Sequence, residues 1–276
     1  MLQQRAARAP TSEMRLVLMI ALALFISYVD RGNLATAAPL IEAELRLSPE
    51  QLGLLLSAFF VTYVLAMVPA GWLAERYGAY RVLAAGIFIW SVATLCVGFV
   101  GSFIALLLLR LLLGLGESTT FPCLSKLIAN GVPAAHIGRA NGIVAFGYLI
   151  GPAIGTFIGG LLIARFGWRP VFVLFGVASM LWLLPWSRVV VPEARLKDQV
   201  DAGPSFAQIL RERGLWGASL GHFSENYAFY LILTWLPEYL VRVRGFSLEK
   251  MAAVASGAYL VNAVAAYVAG WATDRW

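Results

Sequence analysis

The chain has 276 residues, of which 60% are hydrophobic and 13% are charged, and its mean hydropathy is +0.77. Soluble domains carry about 25% charged residues, so this composition excludes an ordinary soluble protein and predicts an all-α integral membrane protein. The formal charge of +6 and the pI of 9.5 do not require a nucleic-acid partner, because basic cytoplasmic loops explain them.

The apolar runs predict eight membrane-spanning helices in a lipid bilayer, since about 20 apolar residues cross its hydrocarbon core. Polar faces at helical period, which a very apolar soluble core would need, are missing from these runs. The predicted spans are 15–37, 51–73, 82–100, 103–127, 139–164, 168–189, 214–240 and 250–271.

The distribution of basic residues predicts the orientation of the spans. With a cytoplasmic N-terminus, 13 of the 21 Lys and Arg residues lie in inside segments, 6 lie in outside segments and 2 lie within spans. Inside segments of membrane proteins carry such an excess. We therefore expect a multi-pass protein of the bacterial inner membrane with both ends of this chain in the cytoplasm.

Four charged residues interrupt the apolar runs. Asp30 and Arg31 lie in the first span, and Arg110 and Glu117 lie in the fourth. A charge near the bilayer centre costs roughly 2.5–3.5 kcal/mol on insertion scales, so such residues face a protein interior or a wet cavity. They predict a substrate or proton path. The alternative is a salt-bridge cluster that only fixes helix packing.

A short motif occurs twice, six spans apart. Residues 71–76 read GWLAER after the second span, and residues 270–275 read GWATDR after the eighth. A repeated signature predicts two related halves. We expect a six-helix bundle over 1–187, a cytoplasmic linker over 188–213 and two helices of a second bundle over 214–276. We also expect the chain to be a fragment of a longer protein.

The first copy of this motif carries a family resemblance. Residues 71–81, GWLAERYGAYR, are similar to the loop signature G-x-x-x-D-R-x-G-x-R of the major facilitator superfamily, with Glu75 where Asp is usual. Three further segments resemble the anion:cation symporter family within it: YVDRGNL at 28–34, RLLLGLGE at 110–117 and LTWLPEYL at 233–240. The resemblance implies a major facilitator fold with a complete N-terminal half.

The resemblance also implies a function, the import of a small organic anion by proton symport and alternating access. Sugar acids, hexuronates and aromatic carboxylates are the implied substrates. Arg31 is the predicted anion ligand, because a guanidinium is always charged and its planar fork matches a carboxylate. Tyr28 and Tyr63 are implied to line the same cavity, although Tyr63 could equally be a packing residue. Asn226 and Tyr230 are further candidates for the cavity wall.

Proton coupling needs a carboxylate that gains and loses its proton at ambient pH, and burial and nearby charges tune this property. Asp30 and Glu117 are the candidates, with Arg110 as the tuning charge. Arg110 and Glu117 lie two helical turns apart, roughly 10 Å, which is too far for direct pairing unless their side chains reach toward each other. The family pattern implies that each meets a partner from the first span.

A third group of charges lies at the cytoplasmic membrane edge. Glu75, Arg76 and Arg81, with Asp274 and Arg275 in the repeat, are predicted to pair between helix ends and loops and to close an inner gate. The alternative is a solvated positive-inside loop.

Two features depart from the family pattern. The loop PAAHIGRA at 133–140 lacks the acid and the following arginine of the usual P-x-x-E-R-x-x-A segment. Glu225 lies near the middle of the seventh span, where a small or amide residue is expected; it is either a functional group or an interhelical hydrogen-bond partner. His222 is predicted to be interfacial.

Other functions remain as alternatives. GYLIGPAIG at 147–155 resembles the Gly-Pro signature of antiporters, so anion exchange is the second candidate, although small residues also permit close helix packing. A non-transporting substrate sensor is a third. The sequence shows no nucleophile–base constellation, phosphate-binding loop or metal-spaced cluster, so we expect no enzyme, cofactor or metal, and a monomer.

Overall fold

The computed structural model describes residues 10–189 and 206–273, and within these ranges the chain is helical and contains no strand. A 3₁₀ turn at Ala134–His136 precedes α6, and a π-helical turn at Tyr239–Val243 follows α10. The helices are α1 Pro10–Leu45, α2 Pro49–Tyr77, α3 Ala79–Val97, α4 Phe103–Glu117, α5 Thr120–Gly131, α6 Ile137–Phe166, α7 Trp168–Leu181, α8 Leu183–Trp186, α9 Phe206–Ile209, α10 Arg213–Glu238 and α11 Leu248–Thr273.

Each predicted span coincides with a helix or a pair of helices. The fourth span is divided into α4 and α5, and the sixth into α7 and α8. By length and composition alone, five helical stretches of the described chain can cross a membrane: Pro49–Tyr77, Ala79–Val97, Phe103–Gly131, Ala134–Phe166 and Trp168–Trp186. The all-α membrane architecture expected from composition is therefore confirmed.

Local sequence explains where the helices begin and end. Ser48 caps α2 by accepting a hydrogen bond from the Gln51 backbone, while the Gln51 side chain accepts one from the Ser48 backbone. This reciprocal capping box, followed by Pro49 in the first turn, is a strong start signal. Gly78 separates α2 from α3 with a φ of 90°, a conformation that side chains rarely adopt.

The helices pack in a six-helix bundle, on which α10 and α11 lie. The most extensive pairings are α1 with α6, α11 with α6, α2 with α4, and α3 with both α4 and α7. Small residues permit the close approaches. At Gly114 a side chain would overlap the Phe59 carbonyl of α2, and at Gly147 an added Cβ would lie 2.5 Å from the Ala21 carbonyl oxygen of α1. Membrane helices commonly approach each other at such residues.

Two apolar clusters fill opposite halves of the bundle. The first includes Leu24, Phe59 and Trp90, and the second includes Leu34, Leu55 and Phe172. A smaller cluster of α10, the π-turn and α11 packs beside them. We call the end that carries the α1–α2 and α3–α4 connections the α1–α2 end, and the opposite one the α2–α3 end.

The division into two bundles and a linker stays a prediction. Most of the predicted linker, residues 190–205, lies outside the described residues, as do Asp274 and Arg275 of the repeated motif. On the described side of the linker, α10 packs against α1.

Candidate functional site

All four interrupting charges lie inside the bundle. Asp30 and Arg31 on α1 and Arg110 and Glu117 on α4 are each between 0% and 6% exposed. Several kcal/mol are required to bury such groups unless partners compensate them. We call these four residues the central charge cluster.

Arg31 and Glu117 form the ion pair of this cluster. Arg31 Nε donates to Glu117 Oε2 at 2.7 Å, and Ser27 Oγ donates to the same oxygen at 2.6 Å. The second oxygen, Glu117 Oε1, is buried without a hydrogen-bond partner in the described chain. The pair connects α1 to α4 and neutralises both charges locally.

Aromatic side chains surround the Arg31 guanidinium. Its Cζ lies 4.5 Å from the ring centre of Tyr28, 4.6 Å from that of Tyr63 and 5.1 Å from that of Phe59. These distances are within cation–π range, about 6 Å. Arg31 Nη1 also donates to the Tyr230 hydroxyl at 2.5 Å. Tyr28, Tyr63 and Tyr230, all singled out from the sequence, therefore meet around Arg31.

Arg110 has no comparable partner. Its Cζ lies 5.2 Å from the Phe59 ring, and Nε is buried without a hydrogen bond to any described residue. The described chain contains no ion pair or hydrogen bond between Arg110 and Asp30, so only Glu117 of the two α4 charges directly meets a charge of the first span. Arg110 is thus a buried cation whose charge is not directly paired.

Asp30 is held by neutral donors. Ser179 Oγ on α7 donates to Asp30 Oδ2 at 3.1 Å, and Asn33 Nδ2 lies 3.5 Å from Oδ1, the outer limit of a hydrogen bond. The central charge cluster therefore consists of one close ion pair plus a cation and a carboxyl that do not touch.

A small pocket opens onto this arrangement. Both arginines line it, together with Tyr230 and Thr234 of α10 and the Phe60 ring of α2. Two guanidinium groups, hydroxyl groups and aromatic walls can bind a planar anion that also carries hydroxyls.

The polar residues nearer the start of α10 form a separate group. Asn226 Nδ2 donates to the His222 backbone carbonyl at 2.9 Å and lies 2.9 Å from His222 Nε2, while Glu225 Oε2 is 3.9 Å from His222 Nδ1. Asn226 is therefore bonded within its own helix rather than to Arg31.

The predicted gate residues lie at the α2–α3 end. Glu75 pairs with Lys126 of α5 at 2.6 Å, and Lys126 Nζ also donates to the Ala74 carbonyl at 3.2 Å. The Arg76 guanidinium lies over the Trp72 and Tyr77 rings. Arg81 lies in the first turn of α3, and Asp274 and Arg275 are outside the described residues. Glu75 thus connects two helices of the first bundle.

His136 stands in the loop segment that lacks the family acid. Its Nδ1 lies 3.0 Å from Glu13 Oε1, near the start of α1. This pairing connects the α5–α6 connection to α1, which the sequence did not suggest.

The α1–α2 end carries pairs that the sequence did not indicate. Arg242 in the π-turn contacts Glu42 of α1 at 2.8 Å and Glu238 at 3.2 Å. Glu44 accepts hydrogen bonds from the Arg169 guanidinium and, at 2.7 Å, from the Trp168 indole, and these lower the pKa of its carboxyl.

The sequence also gave no role to Ser27 and Ser179, the hydroxyl donors of the two buried carboxylates. Their signal was available, because each is a polar residue within an apolar span. The residues that the structure describes contain no group of three His, Cys, Asp or Glu side chains able to hold a metal ion.

Comparison with known proteins gives a consistent result. The family profile described as Major Facilitator Superfamily matches residues 20–276. The probable sulfoacetate transporter SauU of Cupriavidus necator is 32% identical over 276 residues, covering 93% of this chain and 64% of that protein. The hexuronate transporter of Bacillus subtilis is 29% identical over 268 residues, covering 94% of this chain and 64% of that protein. The chain thus spans 64% of the length of each of these relatives.

A solved structure has the same fold. A bacterial homologue of the human lysosomal transporter Spinster, in an inward-facing and unoccupied conformation, superposes with a TM-score of 0.83. It is 24% identical in sequence, and the match covers 97% of this chain and 64% of that one.

Proposed function

The chain belongs to the major facilitator superfamily, and from this premise we propose that it works as part of a secondary transporter that imports an organic anion with protons by alternating access. The observation that carries the proposal is the buried pocket between Arg31 and Arg110. Relatives named as sulfoacetate and hexuronate transporters support a sulfonate or carboxylate substrate.

The partners of the two arginines suggest how an anion binds. Arg31 is already neutralised by Glu117, whereas Arg110 is buried without a direct counter-charge. An anion in the pocket would contact both guanidinium groups and supply the missing charge to Arg110. The hydroxyls of Tyr28, Tyr63 and Tyr230 would bind hydroxyls of a sugar acid, and the aromatic rings would accept an aromatic acid.

The net charge of the cluster suggests how protons are coupled. With both carboxyls ionised, the two carboxylates and two guanidinium groups sum to zero. When Asp30 takes up a proton, the cluster carries one excess positive charge, and an organic monoanion cancels it. Proton and anion binding then favour each other, and such coupling is reciprocal. Glu117 is the second candidate for the proton, since its Oε1 is free of hydrogen bonds to the described chain.

The proposal includes an orientation. The α2–α3 end faces the cytoplasm and the α1–α2 end faces outward, as the distribution of basic residues indicates. The Glu75–Lys126 pair then belongs to the inner edge, and Glu75, Arg76 and Arg81 remain our candidates for the inner gate, with Asp274 and Arg275. The Arg242–Glu42 contact connects α1 to the π-turn on the outer side. We expect the working unit to be a monomer.

The test is uptake into proteoliposomes that contain the transporter. Labelled glucuronate, galactonate, sulfoacetate and benzoate are supplied with and without an inward proton gradient. We expect gradient-driven accumulation of at least one of them, and its loss in Arg31→Ala. The control is Arg244→Ala, which removes an exposed arginine.

Two outcomes would contradict the proposal. Accumulation that survives in Arg31→Ala would remove the anion site from Arg31. Flux that ignores the proton gradient and requires an internal anion would identify an exchanger, the alternative that the Gly151–Pro152 segment suggests.

A further inference from the structure

We propose that Ser179 is a positioning residue that allows Asp30 to release its proton during the transport cycle. This rests on the proposed function, in which Asp30 carries a coupled proton. Ser179 lies on α7, is 1% exposed and donates to Asp30 Oδ2 at 3.1 Å. It belongs to none of the sequence motifs.

The first step of the argument is the weakness of the other interactions of Asp30. Asn33 approaches it only at 3.5 Å, and no arginine of the described chain bonds to it. The charged groups that act on Asp30 from a distance are Glu117 and Arg110 of α4, which have opposite signs. Helix α7 supplies only an uncharged hydroxyl. The Ser179 hydroxyl is therefore the nearest donor for an ionised Asp30.

The second step is the choice of acceptor that this hydroxyl has. Ser179 Oγ lies 2.9 Å from the Phe175 carbonyl oxygen of its own helix and 3.1 Å from Asp30 Oδ2, and it has one hydrogen to donate. A hydrogen bond to an ionised acceptor is roughly twice as strong as one between neutral groups. The hydroxyl is thus expected to turn to Asp30 when the carboxyl is ionised and to Phe175 when it is protonated. It stabilises the state in which the proton has left.

The third step is the absence of a substitute donor. Ser179 borders a cavity of about 200 Å³ between α1, α6 and α7, whose other lining side chains include Phe25, Val29 and Ala178. Apolar cavities of this kind stay dry. If the hydroxyl is removed, no water is expected to take its place, and the ionised carboxylate loses its donor.

The experiment measures proton-driven uptake in proteoliposomes of the transporter as the internal pH is varied and the external pH is held constant. In Ser179→Ala, proton release should require a more alkaline interior, with the half-maximal pH raised by about one unit, or roughly tenfold in proton activity. Ser179→Thr should restore the original profile, because it keeps the hydroxyl and its methyl group can enter the adjacent cavity.

Ser91→Ala is the matched control. Ser91 is 0% exposed, lies on α3 and has an Oγ without a hydrogen-bond partner in the described chain. This variant should keep the wild-type pH profile. If Ser179→Ala does not fold, Ser179→Cys, which keeps a weaker donor, should shift the profile in the same direction by a smaller amount.

The outcomes separate this inference from the proposed function. Identical profiles for wild type and Ser179→Ala, in a transporter whose uptake depends on pH and is uncoupled by Asp30→Asn, would overturn the role of Ser179 alone. A shift that Ser179→Thr does not reverse would also overturn it. Uptake that is independent of pH and unaffected by Asp30→Asn would overturn both.

Discussion

The buried centre of the bundle and its two ends use charged residues in different ways. At the ends, charges occur as contacts between side chains that keep access to solvent, such as Glu75 with Lys126 and Arg169 with Glu44. In the centre, Arg31 and Glu117 are paired out of solvent, while Arg110 and Asp30 lie buried without touching a counter-charge. Burial, rather than the number of ion pairs, therefore distinguishes the candidate site from the surface.

Energetics give this difference its meaning. An exposed ion pair contributes about 0.2–1 kcal/mol, whereas removal of one partner from a buried pair costs about 3–5 kcal/mol. A chain that buries an unpaired cation loses stability for it. Such a cost is consistent with a site whose missing partner is a ligand, as we propose for Arg110.

The largest effect is expected when the buried pair is broken. Glu117→Ala leaves Arg31 without its anion, so we expect a loss of about 3–5 kcal/mol in the free energy of unfolding and no uptake. Thermal unfolding in detergent, followed by tryptophan fluorescence, measures the first effect. Glu75→Ala at the exposed end is the control. Equal destabilisation by the two changes would show that burial does not separate the regions.

The next effect separates stability from function. Arg110→Leu removes a buried cation that has no hydrogen-bonded partner in the described chain. We expect the melting temperature to be unchanged or higher, because no interaction is lost and an unpaired charge is removed. Uptake should fall roughly tenfold or more, since a charged hydrogen bond to the substrate is lost.

Arg139→Leu, at an exposed position near the start of α6, is the matched control for Arg110→Leu and should retain uptake. A marked fall in the melting temperature of Arg110→Leu would indicate instead that Arg110 has a structural role.

The smallest effect concerns the ends. The Arg169 guanidinium and the Trp168 indole lower the pKa of Glu44 below its ordinary value of 4.5. This stabilisation is fully present above that value and is lost as the pH falls through the lowered pKa. It should stay below about 1 kcal/mol, because both members of the ion pair are exposed.

Melting temperatures of wild type and Glu44→Gln test this statement. The variant should be slightly less stable at neutral pH, and the two proteins should converge as the solution is acidified below pH 4.5. A difference that is independent of pH would mean that the carboxylate charge of Glu44 does not contribute.

Much of the fold could be predicted from the sequence. Long apolar runs place the helices to within a few residues, and a charge within such a run indicates an interior position, as it does for Asp30 and Glu117. This reasoning works because lipid imposes one simple rule on every exposed position of a span.

The pairings within the site could not be predicted in the same way. Arg31 and Glu117 are 86 residues apart, and whether Arg31 meets Glu117 or another acid depends on helix rotation and side-chain reach. Asn226 bonds within its own helix, although its span position suggested a cavity residue. Contacts such as Ser179 with Asp30 depend on three-dimensional packing between helices distant in sequence.

The most direct test of the account is transport by Asp30→Asn. The variant keeps the size of the side chain but cannot carry the coupled proton. In proteoliposomes we expect it to lose proton-driven accumulation of the organic anion while it still exchanges labelled for unlabelled anion across the membrane. Accumulation at the wild-type level would contradict the assignment of the coupled proton to Asp30 and, with it, the proposed role of the central charge cluster.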